Sequence, residues 1–242
     1  MTMYQERTYR NAVITDDLVQ FKVIIKETDL LIRAKRDLSV EAKESVFKYR
    51  NQLETYIAMN PAFEKSLIPI KEVPHVPKIV EEMIRTSRLA RVGPMAAVAG
   101  AMAQSVSEDL LRFSDEVIIE NGGDIYLATS KERIVGIYAG SSPLSMKLGI
   151  VITPEDAHIG ICTSSGTIGP SLSFGKADAV CILSKSAALA DAAATAVGNV
   201  VREKKDIEQG LERGQEIEGV MGVLIIIGEK MGVWGDITLI RL

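Results

Sequence analysis

The 242-residue chain has little cysteine, few aromatic residues and no excess of positive charge. Its two cysteines, Cys162 and Cys181, are too few for a disulfide scaffold and too far apart for a CxxC motif, which predicts reduced thiols. Aromatic residues make up only 5% of the chain, which disfavours a sheet that binds RNA by base stacking. The formal charge of -4 argues against nucleic acid as a partner, because binding to a phosphate backbone needs a basic surface.

Long apolar runs are missing as well. The longest uncharged apolar stretch, residues 92–103, is shorter than the roughly 17–25 residues that cross a bilayer, and it contains Pro94. The N-terminal sequence MTMYQERTYR lacks the apolar segment of a secretory signal. We therefore expect a cytoplasmic protein without a membrane partner, in which 47% hydrophobic residues supply a buried core.

Helix-like and strand-like segments follow one another without strict alternation, which favours an α+β fold with mixed sheets and packed helices over a doubly wound fold. Residues 9–34 predict a hairpin around the polar turn 15–17, and Ser39 is the predicted cap of a helix that ends at Asn60. We expect one domain, residues 1–242, with a candidate subdomain boundary near residues 72–78, where prolines cluster.

The C-terminal region predicts two strands on either side of a connection at residues 230–235. The first of them contains the apolar run LIIIG, residues 224–228, which is a candidate for strand pairing between subunits. A homo-oligomer is therefore expected, although the sequence does not rank oligomeric states.

Two glycine-containing segments could bring the backbone close to a ligand. In ENGGDIY, Gly122 and Gly123 permit positive φ beside Asn121 and Asp124, and a nucleotide phosphate or sugar would fit there. Asn-Gly between strand-like runs is equally the signal of a type I′ hairpin, and the sequence leaves both interpretations open. In TSSGTIGPS, residues 163–171, which begins with TSSG, hydroxyls and free N–H groups could bind phosphate oxygens, with an ordinary surface loop as the alternative.

Two further segments are helices rich in small residues. The start of GPMAAVAGAMA, at Gly93, could offer backbone N–H groups to an anion, or its small residues could serve close helix packing. In ALADAAATA, Asp191 and Thr195 are four residues apart and share one helical face. Carboxylate and hydroxyl oxygens suit Mg²⁺, whereas the alternative makes Asp191 a solvated residue and Thr195 a packing residue. The surrounding alanines predict a buried helix, where a lone carboxylate would be costly.

These four segments, in this order, resemble the flavin transferase (ApbE-like) superfamily, whose members move FMN from FAD onto target proteins or bind flavin. The set is most similar to a branch found in archaea and anaerobic bacteria, and the resemblance covers residues 91–199. It implies a nucleotide ligand, FAD or FMN, with Mg²⁺ on Asp191 and Thr195. The cofactor-binding residues that it implies are Gly93, Pro94, Met95, Ala96, Asn121, Gly122, Gly123, Asp124, Ser164, Ser165 and Gly166.

The chain departs from the transferases at one point. They carry a His-Ile-x-Asp-Pro-x-Thr-Gly stretch after the Thr-Ser-Gly motif, and residues 167–186 contain no histidine. Enzyme activity, catalytic residues and any protein acceptor therefore stay open, and a non-catalytic binding or scaffolding protein is one alternative. Another is a sulfur-handling protein, for example in homocysteine formation, in which N–H groups near TSSG lower the thiol pKa of Cys162 so that it carries a persulfide. The alternative interpretation of Cys162 is a small, buried apolar residue on a strand.

Overall fold

The computed structural model describes residues 13–15, 17–156, 158–166 and 175–242. None of the helices within these ranges is long and apolar enough to cross a membrane. The helices are α1 (Ser39–Met59), α2 (Pro61–Lys65), α3 (Lys78–Ala90), α4 (Val98–Leu110), α5 (Ala187–Gly198) and α6 (Ile207–Gln215). The strands are β1 (Val13–Ile14), β2 (Val19–Ile25), β3 (Thr28–Ala34), β4 (Val117–Asn121), β5 (Asp124–Ala128), β6 (Arg133–Gly136), β7 (Leu148–Ile152), β8 (His158–Ser164), β9 (Ala179–Ser184), β10 (Val220–Ile227), β11 (Lys230–Gly235) and β12 (Thr238–Arg241).

The strands form two sheets. The larger sheet has eight strands in the order β11-β10-β9-β8-β5-β4-β3-β2, and the smaller has four in the order β1-β6-β7-β12. Each pair of neighbouring strands in these two sheets is antiparallel. The predicted α+β class with packed helices is confirmed.

The core has two apolar clusters, one on each face of the larger sheet. Ile119 and Ile182 belong to the cluster that includes α1, α3, α4 and α5, whereas Ile118 and Cys181 belong to the cluster shared with the smaller sheet. Successive side chains of a strand point to opposite faces, so neighbouring residues of β4 and β9 enter different clusters. The chain is therefore layered as helices, larger sheet and smaller sheet.

The first hairpin is shifted relative to its prediction. Its turn is at Lys26 and Glu27, between β2 and β3, and not at residues 15–17, of which Asp16 lies outside the described ranges. The polar residues instead join β1, which pairs with β6, to β2 in the other sheet. Asp17 accepts a hydrogen bond from Arg133 of β6 at 2.6 Å, which holds this crossing to the smaller sheet.

Helix α1 has the predicted extent but a different cap. Ser39 is the first residue of the helix, and its backbone N–H donates to the carboxylate of Asp37 at 2.8 Å. Asp37 thus satisfies the N–H group of Ser39 itself, and the N-cap position is Leu38, whose side chain cannot accept a hydrogen bond.

The predicted C-terminal connection, residues 230–235, is strand β11. A turn at Gly228, which has a φ of 59°, returns the chain so that β11 pairs with β10. The apolar run 224–228 therefore belongs to an interior strand, with β9 on its other side, and offers no free edge for a second subunit.

Residues 66–77 connect α2 and α3 without regular secondary structure. The helix-side apolar cluster contains residues before and after this connection, such as Val46 and Val80. One domain over residues 1–242 stays a prediction.

Candidate functional site

Helices α4 and α5 and strand β8 meet closely because the residues between them are small. A Cβ atom at Gly160 of β8 would lie 2.7 Å from the Ala187 nitrogen, and one at Gly100 of α4 would lie 2.6 Å from the Ala187 carbonyl carbon. Both distances are far below the 3.5–4.0 Å of a favourable contact between carbon atoms. The small residues of α4 and α5 therefore serve close packing, which was one of the two interpretations of GPMAAVAGAMA.

Asp191 of α5 caps the start of α4. Its Oδ2 accepts hydrogen bonds from the backbone N–H groups of Ala99 at 3.1 Å and Gly100 at 2.9 Å. These N–H groups lie in the first helical turn, where no intrahelical acceptor is present and the helix dipole favours negative charge. The anion that this helix start binds in the structure is thus a carboxylate of the chain itself.

The ENGGD segment forms a tight hairpin beside that helix start. Asn121 pairs with Asp124 across β4 and β5, and the two glycines between them have φ of 68° and 107°. The Asn121 side-chain amide donates to the Ala99 carbonyl at 3.1 Å, which ties the turn to α4. A Cβ at Gly122 would meet no atom within 4 Å, so open space adjoins the turn. The hairpin interpretation is confirmed, and the hairpin lies next to Asp191's hydrogen-bond partners.

Asp124 lies beside Asp191 in a region of unbalanced negative charge. Burial raises the pKa of Asp124 well above its usual value, and Asp191 raises it further, against hydrogen bonds from Cys162 and the Thr163 backbone. Burial likewise raises the pKa of Asp191 to about 7, despite the two N–H groups at the start of α4. Within the described residues, no Lys or Arg forms a salt bridge to either carboxylate. A divalent cation would neutralise this pair.

Thr195 lies one turn after Asp191 and shares its helical face. Both residues are half-buried, whereas the alanines between them are buried. In the described part of the chain, no three His, Cys, Asp or Glu residues are arranged to hold a metal ion. A metal here would need hydroxyl, water or ligand oxygens beside the carboxylates, and such an all-oxygen donor set fits Mg²⁺.

The TSSG segment begins at the same end of the sheet. Ser164 is the last residue of β8, two positions after the partner of Asp124, and Ser165 and Gly166 follow it. The Gly166 N–H donates to the Ala177 carbonyl at 3.0 Å, so that group is not free for a ligand. Residues 167–171, the rest of the predicted loop, lie outside the described ranges.

The four residues predicted at the start of the alanine-rich helix lie in a turn that precedes it. Pro94–Ala97 form a 3₁₀ turn, and Gly93 and Pro94 are buried. A Cβ at Gly93 would lie 2.9 Å from the Leu67 Cα, so this glycine is required by the preceding chain rather than by a ligand. Met95 and Ala96 are half-buried. Sequence reasoning missed Ala99 and Gly100 as the N–H donors to Asp191, because no sequence signal indicated that the α-helix begins only at Val98.

Cys162 is a buried strand residue, which was one of its two interpretations. The residue is fully buried, and its thiol donates to the Ala187 carbonyl at 3.3 Å. Burial raises the thiol pKa well above its usual value, and the charges of Asp124 and Asp191 raise it further. The expected lowering of the pKa by nearby N–H groups is therefore wrong, and the sulfur-handling hypothesis loses its chemical basis.

Comparisons with known proteins show the family of this chain. The sequence model of the family described as "AbpE bacteria" matches residues 11–234. The chain belongs to this family. A UPF0280 protein of Methanococcus aeolicus is 40% identical over 226 residues, which cover 91% of each chain. A UPF0280 protein of Methanothrix thermoacetophila is 44% identical over 202 residues, covering 83% of this chain and 84% of that protein.

The fold of this AbpE family member is also that of solved ApbE proteins. The apo flavinyl transferase ApbE of Pseudomonas stutzeri superposes with a TM-score of 0.59 at 13% identity, covering 90% of this chain and 93% of its own. The ApbE protein of Thermotoga maritima gives a TM-score of 0.56 at 11% identity, covering 90% and 97%. The resemblance to the ApbE-like superfamily and to its archaeal branch is confirmed.

Proposed function

We propose that the chain binds a flavin nucleotide, FAD or FMN, together with Mg²⁺ at the start of α4. The observation that carries this proposal is the pair of carboxylates, Asp124 and Asp191, that the fold brings together without a salt bridge from a described Lys or Arg. Two neighbouring carboxylates in a partly desolvated site repel each other, and their repulsion persists unless a cation or a proton neutralises them. The kinship with ApbE flavin transferases supports a flavin nucleotide as the molecule that brings the cation's remaining ligands.

Several of the predicted site residues have a defined part in this proposal. Asp191 and Thr195 would hold the metal ion, which when bound would neutralise the negative charge of the nucleotide's phosphates. The open space beside Gly122 leaves room for the ligand at the Asn121–Asp124 turn. Ser164, the last residue of β8, and Ser165 after it would supply hydroxyl groups at the same end of the sheet.

The proposal concerns binding rather than group transfer. Residues 167–186 contain no histidine. His158 stands at the first position of β8, and at roughly 3.3 Å per residue it is about 13 Å along the strand from Cys162. Its Nδ1 lies 3.4 Å from the Tyr126 hydroxyl, at the end of the sheet away from Asp191. FMN transfer from FAD to a protein hydroxyl is therefore a separate question, answered by testing whether flavin becomes covalently attached to added protein.

The experiment is a titration of the purified protein with FAD and with FMN, with and without Mg²⁺, followed by flavin fluorescence and calorimetry. We expect saturable binding that Mg²⁺ strengthens, and a loss of the Mg²⁺ effect by more than about tenfold in Asp191→Asn. Asp236→Asn is the matched control, because Asp236 is exposed and its substitution removes the same charge away from the site. Absence of flavin binding would refute the ligand, and an undiminished Mg²⁺ effect in Asp191→Asn would refute the metal site.

A further inference from the structure

Strand β11 is an exposed edge of the larger sheet. It pairs with β10 on one side, and no strand of the described residues pairs with it on the other. Its apolar side chains Met231 and Val233 are 47% and 38% exposed. The open edge of a sheet presents backbone N–H and C=O groups to which a further strand can bind. β11 is therefore a candidate interaction surface.

The turn before β11 determines which of its backbone groups face outward. Ile227 and Lys230 are partners across a turn of two residues, in which Gly228 has a φ of 59°. The residues that close such a turn exchange hydrogen bonds, and bonded pairs then alternate with non-bonded pairs along an antiparallel ladder. The even-numbered residues of β11 thus bond to β10. The N–H and C=O groups of Met231 and Val233 point away from β10.

The charges of this edge lie at its two ends. Lys230 begins β11 and Asp236 follows it, both are exposed, and the residues between them, MGVWG, are uncharged. The Asp236 N–H donates to the Met221 carbonyl at 3.0 Å, which continues the β10–β11 ladder beyond the strand itself. The edge therefore has a positive end and a negative end. An antiparallel second copy presents the two charges in the reverse order.

We propose that β11 pairs with β11 of a second copy of the chain, antiparallel about a two-fold axis at Val233. The outward N–H and C=O groups of the two Val233 residues then form a hydrogen-bonded pair. Lys230 of each copy lies opposite Asp236 of the other, and opposite charges across neighbouring strands attract. An axis shifted by one residue would place Lys230 opposite Trp234 or Thr238 and lose both attractions. Charge thus selects one register.

The other edge of the larger sheet, β2, is less suited to such pairing. Lys22 lies in the middle of this strand, where its side chain is 37% exposed and pairs with Asp29 at 3.4 Å. A charge in the middle of an edge strand opposes the addition of another strand. The second copy is therefore expected at β11. The homo-oligomer anticipated from the apolar run 224–228 would form through the strand that follows this run.

The first experiment measures the mass of the full chain by sedimentation velocity over a wide range of concentrations. We expect a reversible dimer in the wild type and a monomer in Val233→Pro, because proline removes the outward N–H without removing a bond to β10. Ile24→Pro is the matched control. Ile24 is 57% exposed on β2, and its N–H also points out of the sheet, because Ile25 and Thr28 close the two-residue turn there. This variant should stay dimeric.

The second experiment exchanges the charges of the edge. Lys230→Asp and Asp236→Lys each place like charges opposite each other at two positions, and each should raise the dimer dissociation constant about tenfold. The double variant restores opposite charges in the reverse order. It should therefore regain the wild-type dissociation constant to within about threefold.

Three results would overturn the proposal. A monomer at every concentration, or a dimer that Val233→Pro leaves intact, would refute pairing through β11. A double variant that dimerises no better than the single variants would refute the contact between Lys230 and Asp236. β10, β9 and β8 separate β11 from β5, the strand of Asp124. Flavin binding should therefore be unchanged in these variants, so failure of the dimer and failure of the flavin site are distinguishable.

Discussion

Replacing Gly100 by alanine sets two effects against each other at the junction of α4 and α5. Alanine in a helix interior is favoured over glycine by about 1 kcal/mol, so propensity alone predicts stabilisation. The added Cβ would however lie 2.6 Å from the Ala187 carbonyl carbon and 3.0 Å from the Asp191 Cβ. The first neighbour is backbone and cannot rotate away, so the two helices must separate.

Overpacking of this kind costs about 1–3 kcal/mol, and a contact with backbone belongs near the upper end. Because the gain in helix propensity offsets part of this cost, we expect Gly100→Ala to lower the free energy of unfolding by about 1–2 kcal/mol. For a chain of this size that corresponds to a fall in melting temperature of roughly 2–8 °C. Urea unfolding followed by circular dichroism measures the first quantity, and calorimetry the second.

Ser105→Ala is the control for this substitution. Ser105 is a half-buried residue of the same helix, and alanine there should change stability by no more than about 0.5 kcal/mol. If Gly100→Ala proved as stable as the wild type or more stable, the close approach of α4 to α5 would be refuted, and with it the cap that Asp191 forms on α4.

Three further predictions concern groups away from this junction. Burial raises the pKa of Glu116, but hydrogen bonds from Lys35 and other donors outweigh burial and lower that pKa to about 2. The stabilisation that the ionised Glu116 carboxylate gives the folded protein is therefore complete above about pH 4.5 and is lost as the pH falls towards 2. Glu116→Gln should make the free energy of unfolding, measured by urea unfolding, less dependent on pH in this acid range. Cys162 should be alkylated by iodoacetamide in the native protein far more slowly than in 6 M urea, as mass spectrometry can measure, and rapid native labelling would contradict its burial. Asp37→Ala should lower the free energy of unfolding by about 1 kcal/mol through the lost cap at Ser39, and no change would show that this hydrogen bond is dispensable.

Local patterns along the chain predicted most of the elements but not all of their connections. The hairpin turn at Lys26 and Glu27 was missed because neither residue carries the Gly or Asn signal of a tight turn, whereas the polar residues 15–17 do resemble a turn. Strand β11 was missed because its glycines weaken strand propensity. One of them, Gly232, packs against α6, where a Cβ would press on the side chains of Ile207 and Leu211.

Part of the candidate site was also predictable from local patterns. The order of four short segments indicated the superfamily, and the spacing of Asp191 and Thr195 placed them on one helical face. The pKa of Cys162, in contrast, was predicted in the wrong direction, because burial and the charges of two aspartates from other elements decide it. Those neighbours are 38 and 29 residues away in the chain, where no local pattern reveals them.

Composition and local spacing were sufficient for the α+β class and for the helices α1 and α5. The Asn121–Asp124 hairpin was one of two interpretations of its sequence, and the family was predicted from a resemblance in the order of four motifs. Periodicity and turn chemistry are properties of neighbouring residues, so they can be inferred before any long-range contact is known. Only the tertiary structure decided that Asp124 and Asp191 lie together, that the start of α4 is capped by an aspartate of α5, and that Cys162 is buried with a raised thiol pKa. Each of these facts depends on which elements pack against one another, and the desolvation and repulsion that follow act through space rather than along the chain.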